Sequence, residues 1–201
     1  MTLPAHWVLA TSNRGKVAEL SAVLAAAELG IRVTAQSELG VSAAPETGAT
    51  FVENALLKAR HAARVTGLPA IADDSGLVVD ALAGAPGVQS ARFAGEHGDD
   101  RANVAKLLAL LARSSLGRSA RFHCVLVALE HPLDAMPLIA EGSWLGEIAC
   151  APQGSGGFGY DPVFFDPALH RTAAELDPAQ KTRVSHRGAA LRGLIELLKN
   201  R

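Results

Sequence analysis

The chain predicts a single α/β domain over residues 1–201. Short β-forming runs alternate with stretches of helical periodicity from His6 to Leu198, and capping residues, glycines and prolines mark the changeovers. No repeat, linker or low-complexity segment interrupts the alternation. With 49% apolar and 19% charged residues, 201 residues suffice for one well-buried core, so a second domain is not required.

Residues 6–10 predict an apolar strand that runs into Thr11-Ser12-Asn13-Arg14-Gly15-Lys16. Val17, Leu20, Leu24 and Ala27 then share one helical face, and Gly30 supplies a stop. Residues 31–35 predict a second strand and 36–49 a loop containing Glu46-Thr47-Gly48. Thr50-Phe51-Val52-Glu53 is a capping box, in which the threonine and the glutamate three residues on satisfy free helix-start amides. The helix it opens puts Phe51, Ala55, Ala59 and Ala62 toward the core and ends at Gly67 and Pro69; Asn54 and Lys58, four apart, share another face.

Two short apolar strands, 70–72 and 77–79, are expected to flank an acidic turn, Asp73-Asp74-Ser75-Gly76. Residues 83–99 read as loop, and a helix starting near Asp99 or Asp100 buries Val104, Leu107, Leu108 and Leu111. Residues 121–130 and 138–145 predict longer strands. After a glycine-rich stretch, 154–162, comes a short strand at 163–165. Asp177-Pro178 opens a short helix, with proline at its first position. Ser185 can cap the last helix, whose apolar face is Leu191, Leu194, Ile195 and Leu198.

Composition narrows the function classes. A formal net charge of −1 gives no general attraction to nucleic acid or to anionic membranes. The start lacks a basic region followed by an apolar run, and no apolar run nears the ~18 residues needed to span a bilayer. Cys124 and Cys150 make neither a disulfide framework nor a metal pattern. We therefore expect a cytoplasmic protein with no nucleic-acid or membrane partner.

Four stretches can carry chemistry, each with a plainer alternative. Thr11–Lys16 joins a strand to a helix, so its amides and the positive helix end favour a phosphate; an ordinary capped helix start has the same look. Adjacent carboxylates at Asp73 and Asp74 repel, and a divalent cation would compensate, as would solvation in an Asx-type turn. Phe158 and Tyr160 on a glycine-rich loop suit stacking on a flat heterocycle, worth ~1–3 kcal/mol per base, whereas the glycines alone would suit a linker. Lys181, His186 and Arg187 offer donors near a helix start, or are a solvated terminus. Trp7 and Trp144 read as packing residues, and His123 and Cys124, side by side on a strand, point to opposite faces.

Five motifs in order resemble the inosine triphosphate pyrophosphatase family, which removes non-standard purine nucleoside triphosphates. They are Thr-Ser-Asn-Arg-Gly-Lys at 11–16, Glu-Thr-Gly-Ala-Thr-Phe-Val-Glu-Asn-Ala at 46–55, Ala-Asp-Asp-Ser-Gly-Leu at 72–77, Gly-Gly-Phe-Gly-Tyr-Asp-Pro at 156–162 and Ser-His-Arg-Gly at 185–188. Ser12 falls where many members carry glycine. The resemblance implies an elongated, two-lobed α/β fold with a long central mixed sheet flanked by helices, an active site in the cleft between lobes, and a homodimer. It implies that Thr11, Ser12, Asn13, Arg14, Gly15 and Lys16 hold the triphosphate of a small-molecule purine nucleotide. Asp74 would be general base and, with Glu46, ligand to Mg2+; Glu53 and Asp73 are the other acids that could share the metal. Ser75 would touch substrate, Phe158 and Tyr160 would sandwich the purine, and Gly159 and Asp161 would complete that loop. Lys181, His186 and Arg187 would contact the nucleotide. Hydrolysis would give monophosphate and pyrophosphate, and donors such as Arg187 and Lys181 would favour a 6-oxo purine over adenine. A phosphotransferase lacks a matching kinase motif here, and a non-catalytic nucleotide sensor would bind without turnover.

Overall fold

The computed structural model describes residues 3–95 and 98–201, apart from the side chain of Arg14. The strands are β1 (His6–Leu9), β2 (Arg32–Ala35), β3 (Ala70–Val79), β4 (Ser119–Leu129), β5 (Leu138–Ile148), β6 (Phe164–Asp166) and β7 (Arg171–Thr172). The helices are α1 (Arg14–Ala26), α2 (Phe51–Thr66), α3 (Asp100–Ala112), α4 (Pro178–Val184) and α5 (His186–Lys199). Among the described residues the strands form one open sheet in the order β2-β1-β3-β4-β5-β6-β7. It is mixed: β1 pairs in parallel with β2 and β3, whereas β6 is antiparallel to both β5 and β7. The predicted α/β class holds.

The chain divides into two compact units, each drawn from separate stretches. The first contains residues 1–74, 124–142 and 189–201. Here strand periodicity decides which helix covers which face. Trp7, Leu9, Ile71, Cys124, Leu126 and Ala128 pack with Leu20 and Leu24 of α1 and with Ala190, Leu191, Leu194 and Leu198 of α5. The alternate residues Val8, Ala10, Ala70, Ala72, Val125, Val127 and Leu129 pack with Ala55, Ala59, Ala62 and Ala63 of α2. Small side chains along α2 let it approach the sheet closely. Thr50 and Glu53 form the predicted capping box, and Gly67 ends α2 in the left-handed conformation that glycine adopts without penalty. Helix α1 stops at Ala26, four residues short of Gly30.

The second unit contains residues 75–123 and 143–188. Leu77, Val79, Phe122, Trp144, Ile148, Val163 and Phe164 form its core with Val104, Leu107 and Leu111 of α3. Phe122, Trp144 and Phe164 are mutually packed, with Phe122 and Phe164 centroids 4.4 Å apart, and the indole N–H of Trp144 donates to Asp166 at 2.8 Å. Trp7 is likewise fully buried, donating to the Pro4 carbonyl. Both tryptophans are packing residues. Within the expected loop of 83–99 lies a 3-10 segment, Gly87–Arg92, and β7 was not foreseen.

One expectation is corrected. Asp73-Asp74-Ser75-Gly76 is no turn: β3 runs unbroken through it. Turn-forming residue types were outweighed by the sheet on either side and by counter-charges supplied from other elements.

Candidate active site

The continuous strand separates the two aspartates. Asp73 shares its face with Ile71, toward α1; Asp74 shares its face with Ala70 and Ala72, toward α2. Each meets a lysine there. Lys16 Nζ of α1 lies 2.7 Å from Asp73 Oδ2, and Lys58 Nζ of α2 lies 2.7 Å from Asp74 Oδ1. The repulsion between neighbouring carboxylates is therefore answered by two ammonium groups arriving from opposite faces.

Lys58 also lies 3.1 Å from Glu46 Oε1, so Asp74 and Glu46 converge on one cation. Asn54, fully buried one turn before Lys58, accepts from the Gly48 amide at 2.8 Å through Oδ1 and directs its NH2 at Asp74 Oδ2, 3.5 Å away. A Cβ at position 48 would lie 2.8 Å from that Asn54 oxygen, so glycine is needed for the Glu46 loop to approach α2. Burial pushes the Asp74 carboxyl above its ordinary pKa and Glu46 adds to this, against the ammonium of Lys58. Burial disfavours the Lys58 ammonium, but Asp74, Asp73 and Glu46 outweigh it and its pKa is raised.

The four acids named as candidates differ in their partners. Glu53 is committed to the α2 cap, its carboxylate accepting from the Ala49 and Thr50 amides, and Asp73 is paired with Lys16. Asp74 and Glu46 both lie against Lys58, so their carboxylate oxygens converge on one cation. Among the described residues no three acids, histidines or cysteines group as a metal cage.

Thr11–Lys16 forms the capped helix start. Asn13 Oδ1 accepts from the Gly15 amide at 2.8 Å and from the Lys16 amide at 3.3 Å, and Thr11 Oγ1 accepts from the Asn13 amide. Ser12 and Asn13 are exposed; the Arg14 side chain lies outside the described residues.

In the second unit the glycine-rich stretch is an ordered loop. Phe158 is 60% exposed, with the Lys181 ammonium 5.0 Å from its ring centroid. Lys181 is ion-paired with Asp161, whose Oδ2 also accepts from the Phe158 amide at 2.8 Å. Gly157 and Gly159, on either side of Phe158, have φ of +72° and +60°. The Gly159 amide donates to Asp100 Oδ2 at 2.6 Å. Arg187 donates to Ser75 Oγ at 3.2 Å, and His186 is buried, stacked 4.8 Å from Phe122. Ser185 accepts from the Gly188 amide as a cap.

Tyr160 departs from the expected two-ring sandwich. It is 4% exposed, belongs to the core with Leu77 and Phe164, and donates its hydroxyl to the Ser90 carbonyl at 2.8 Å. Burial pushes its phenol pKa up, as does Asp100. Phe158 is the ring left on the surface.

Sequence reasoning missed Lys58, Asn54 and Asp100. For the first two a signal existed: they share a helix face, and two adjacent acids require cations from somewhere.

The fold is an open α/β sheet with cation-paired carboxylates on β3, and its second unit carries an exposed aromatic ring on a glycine-rich loop. Comparison with known proteins is more specific: the chain belongs to the Ham1 family, whose sequence model matches residues 7–197. A protein of Xanthomonas campestris pv. campestris named dITP/XTP pyrophosphatase is 62% identical over 187 residues, covering 92% of this chain and 93% of that one. Another of that name, from Erwinia tasmaniensis, is 59% identical over 194 residues, 96% and 94% of the two chains. Among solved structures, a HAM1 protein from Coxiella burnetii superposes with a TM-score of 0.92 at 51% identity, covering 98% of this chain and 99% of that one.

Proposed function

We propose that the protein hydrolyses non-standard purine nucleoside triphosphates, ITP, dITP and XTP, to the monophosphate and pyrophosphate, keeping deaminated purines out of nucleic acid. Its relatives named dITP/XTP pyrophosphatase, about 60% identical over nearly the whole chain, support this. The observation that carries the reading is the convergence of buried Asp74 and half-buried Glu46 on one cation.

Asp74 accepts the proton of the water that attacks the α-phosphorus. An ordinary aspartate, with a pKa near about 3.9, is a weak base at neutral pH; burial beside Glu46 strengthens this one. Asp74 and Glu46 would hold Mg2+, which when bound supplies charge neutralisation on the phosphates and a more acidic water. Lys16 and the Thr11–Lys16 turn bind the triphosphate, with Asn13 giving up the cap amides to phosphate oxygens. Phe158 stacks on the purine, and Tyr160 supports the loop from the core. Arg187, held on Ser75, and Lys181, held on Asp161, present donors to the purine edge. An oxygen at position 6 accepts from them, whereas the amino group of adenine faces an unmatched donor. Pairing of this kind discriminates by ~10⁴ or more. On the family resemblance we extend to this chain a homodimeric state and a cytoplasmic location. Among the described residues no helix is long and apolar enough to cross a membrane.

Product analysis with ITP and Mg2+, beside ATP and GTP, tests the reading. IMP and pyrophosphate with little reaction on ATP are expected. IDP and inorganic phosphate would move the attack to the γ-phosphorus, and tight binding without turnover would make the protein a sensor.

A further inference from the structure

We propose that Asp100 is a positioning residue for the base-binding loop, its carboxylate tying Gly159 to α3 and thereby fixing the ring of Phe158 in the pose that receives the purine. This rests on Phe158 being the base platform, as proposed above.

A phenylalanine that is 60% exposed is not held by packing. Its neighbours on both sides are glycines in left-handed conformations, residues with more backbone freedom than any other. The backbone that carries the ring is nevertheless held by two successive amides, each ending on a carboxylate. The Phe158 amide bonds to Asp161 at 2.8 Å, and the Gly159 amide bonds to Asp100 at 2.6 Å. These ties differ in kind. Asp161 is three residues along the same loop, whereas Asp100 opens α3, which is anchored in the core by Val104, Leu107 and Leu111. Hydrogen bonds to an ionised acceptor are about twice as strong as neutral ones. Capping does not explain Asp100, because Asp99 already caps α3 by accepting from the Ala102 amide at 2.9 Å. Holding the loop in advance removes an ordering cost from substrate binding, so the effect belongs in KM and not in the chemical step.

The test compares Asp100→Ala, Asp100→Asn and Phe158→Ala by steady-state kinetics with ITP and by thermal unfolding. Asp100→Ala is expected to raise KM about three- to tenfold, the loss of one net hydrogen bond, with kcat within about twofold. Asp100→Asn keeps a neutral acceptor oxygen and is expected to recover part of the lost affinity, with a KM between those of Asp100→Ala and the wild type. If Asp100 served only the helix dipole, Asn would be no better than Ala, and that outcome overturns the proposal. Unchanged KM in Asp100→Ala beside a raised KM in Phe158→Ala refutes the tie alone. Unchanged KM in Phe158→Ala removes the base platform and the proposal with it. Should Asp100→Ala not fold, Asp100→Glu decides: its longer side chain displaces the acceptor, so a raised KM supports the tie and a wild-type KM overturns it.

Discussion

Replacing Lys58 by Met leaves Asp74 and Glu46 facing one another without the ammonium that lies 2.7 and 3.1 Å from them. Breaking a buried ion pair from one side costs about 3–5 kcal/mol. The lower figure applies here, because the Glu46 side chain is 29% exposed and water relieves part of the repulsion. In a chain of this size about 3 kcal/mol corresponds to a fall of roughly 6–12 °C in Tm without divalent ions. Mg2+ at about a hundred times its Kd contributes about 2.7 kcal/mol to a state that binds it. At the proposed Mg2+ site the metal would answer the same two carboxylates as the ammonium, so Mg2+ should stabilise Lys58→Met by more than it stabilises the wild type. Thermal unfolding of both proteins, with EDTA and over a Mg2+ titration, measures this directly. An equal gain in Tm for the two proteins would refute the convergence of Asp74 and Glu46 on one cation site.

Three further outcomes follow from the geometry. Glu46→Gln removes a negative charge that raises the Asp74 pKa, so in metal-free protein the Asp74 titration should move down, read by NMR of the carboxyl carbon; an upward move would contradict the placement. Asp74→Asn should abolish turnover on ITP while the circular dichroism spectrum stays native, and near-normal turnover would end its assignment as base. In Gly157→Ala the new Cβ would lie 2.0 Å from Asp161 Oδ2 at a φ of +72°, so the loop must shift. The left-handed backbone alone costs about 1–2 kcal/mol, and KM for ITP should rise at least tenfold.

Local signals were legible and distant ones were not. The Thr50/Glu53 box, Gly67 as the stop of α2, and Asp177-Pro178 opening α4 each depend on residues within a turn of one another, and the structure has all three. The acidic stretch failed for the opposite reason. Its neutralising partners lie 57 residues upstream at Lys16 and 16 upstream at Lys58, and no local pattern tells which of two strand faces each will reach. Tyr160 was expected to stack on the purine with Phe158; nothing local shows that its hydroxyl reaches the Ser90 carbonyl, 70 residues away. A two-lobed fold was implied by the family resemblance alone; local patterns gave no boundary, since β3, β4 and β5 each contribute to both units and no linker marks the change.

That division sets an order for biosynthesis. The first unit begins with β1, yet one face of its core is closed by Ala190, Leu191, Leu194 and Leu198 of α5. At ~5–20 residues per second, β1 waits roughly 10–40 s on the ribosome for those side chains to be made. The second unit ends at Gly188. β1 therefore belongs to the unit finished last, and until α5 is made the side of Trp7, Leu9 and Leu24 that it covers lacks that cover.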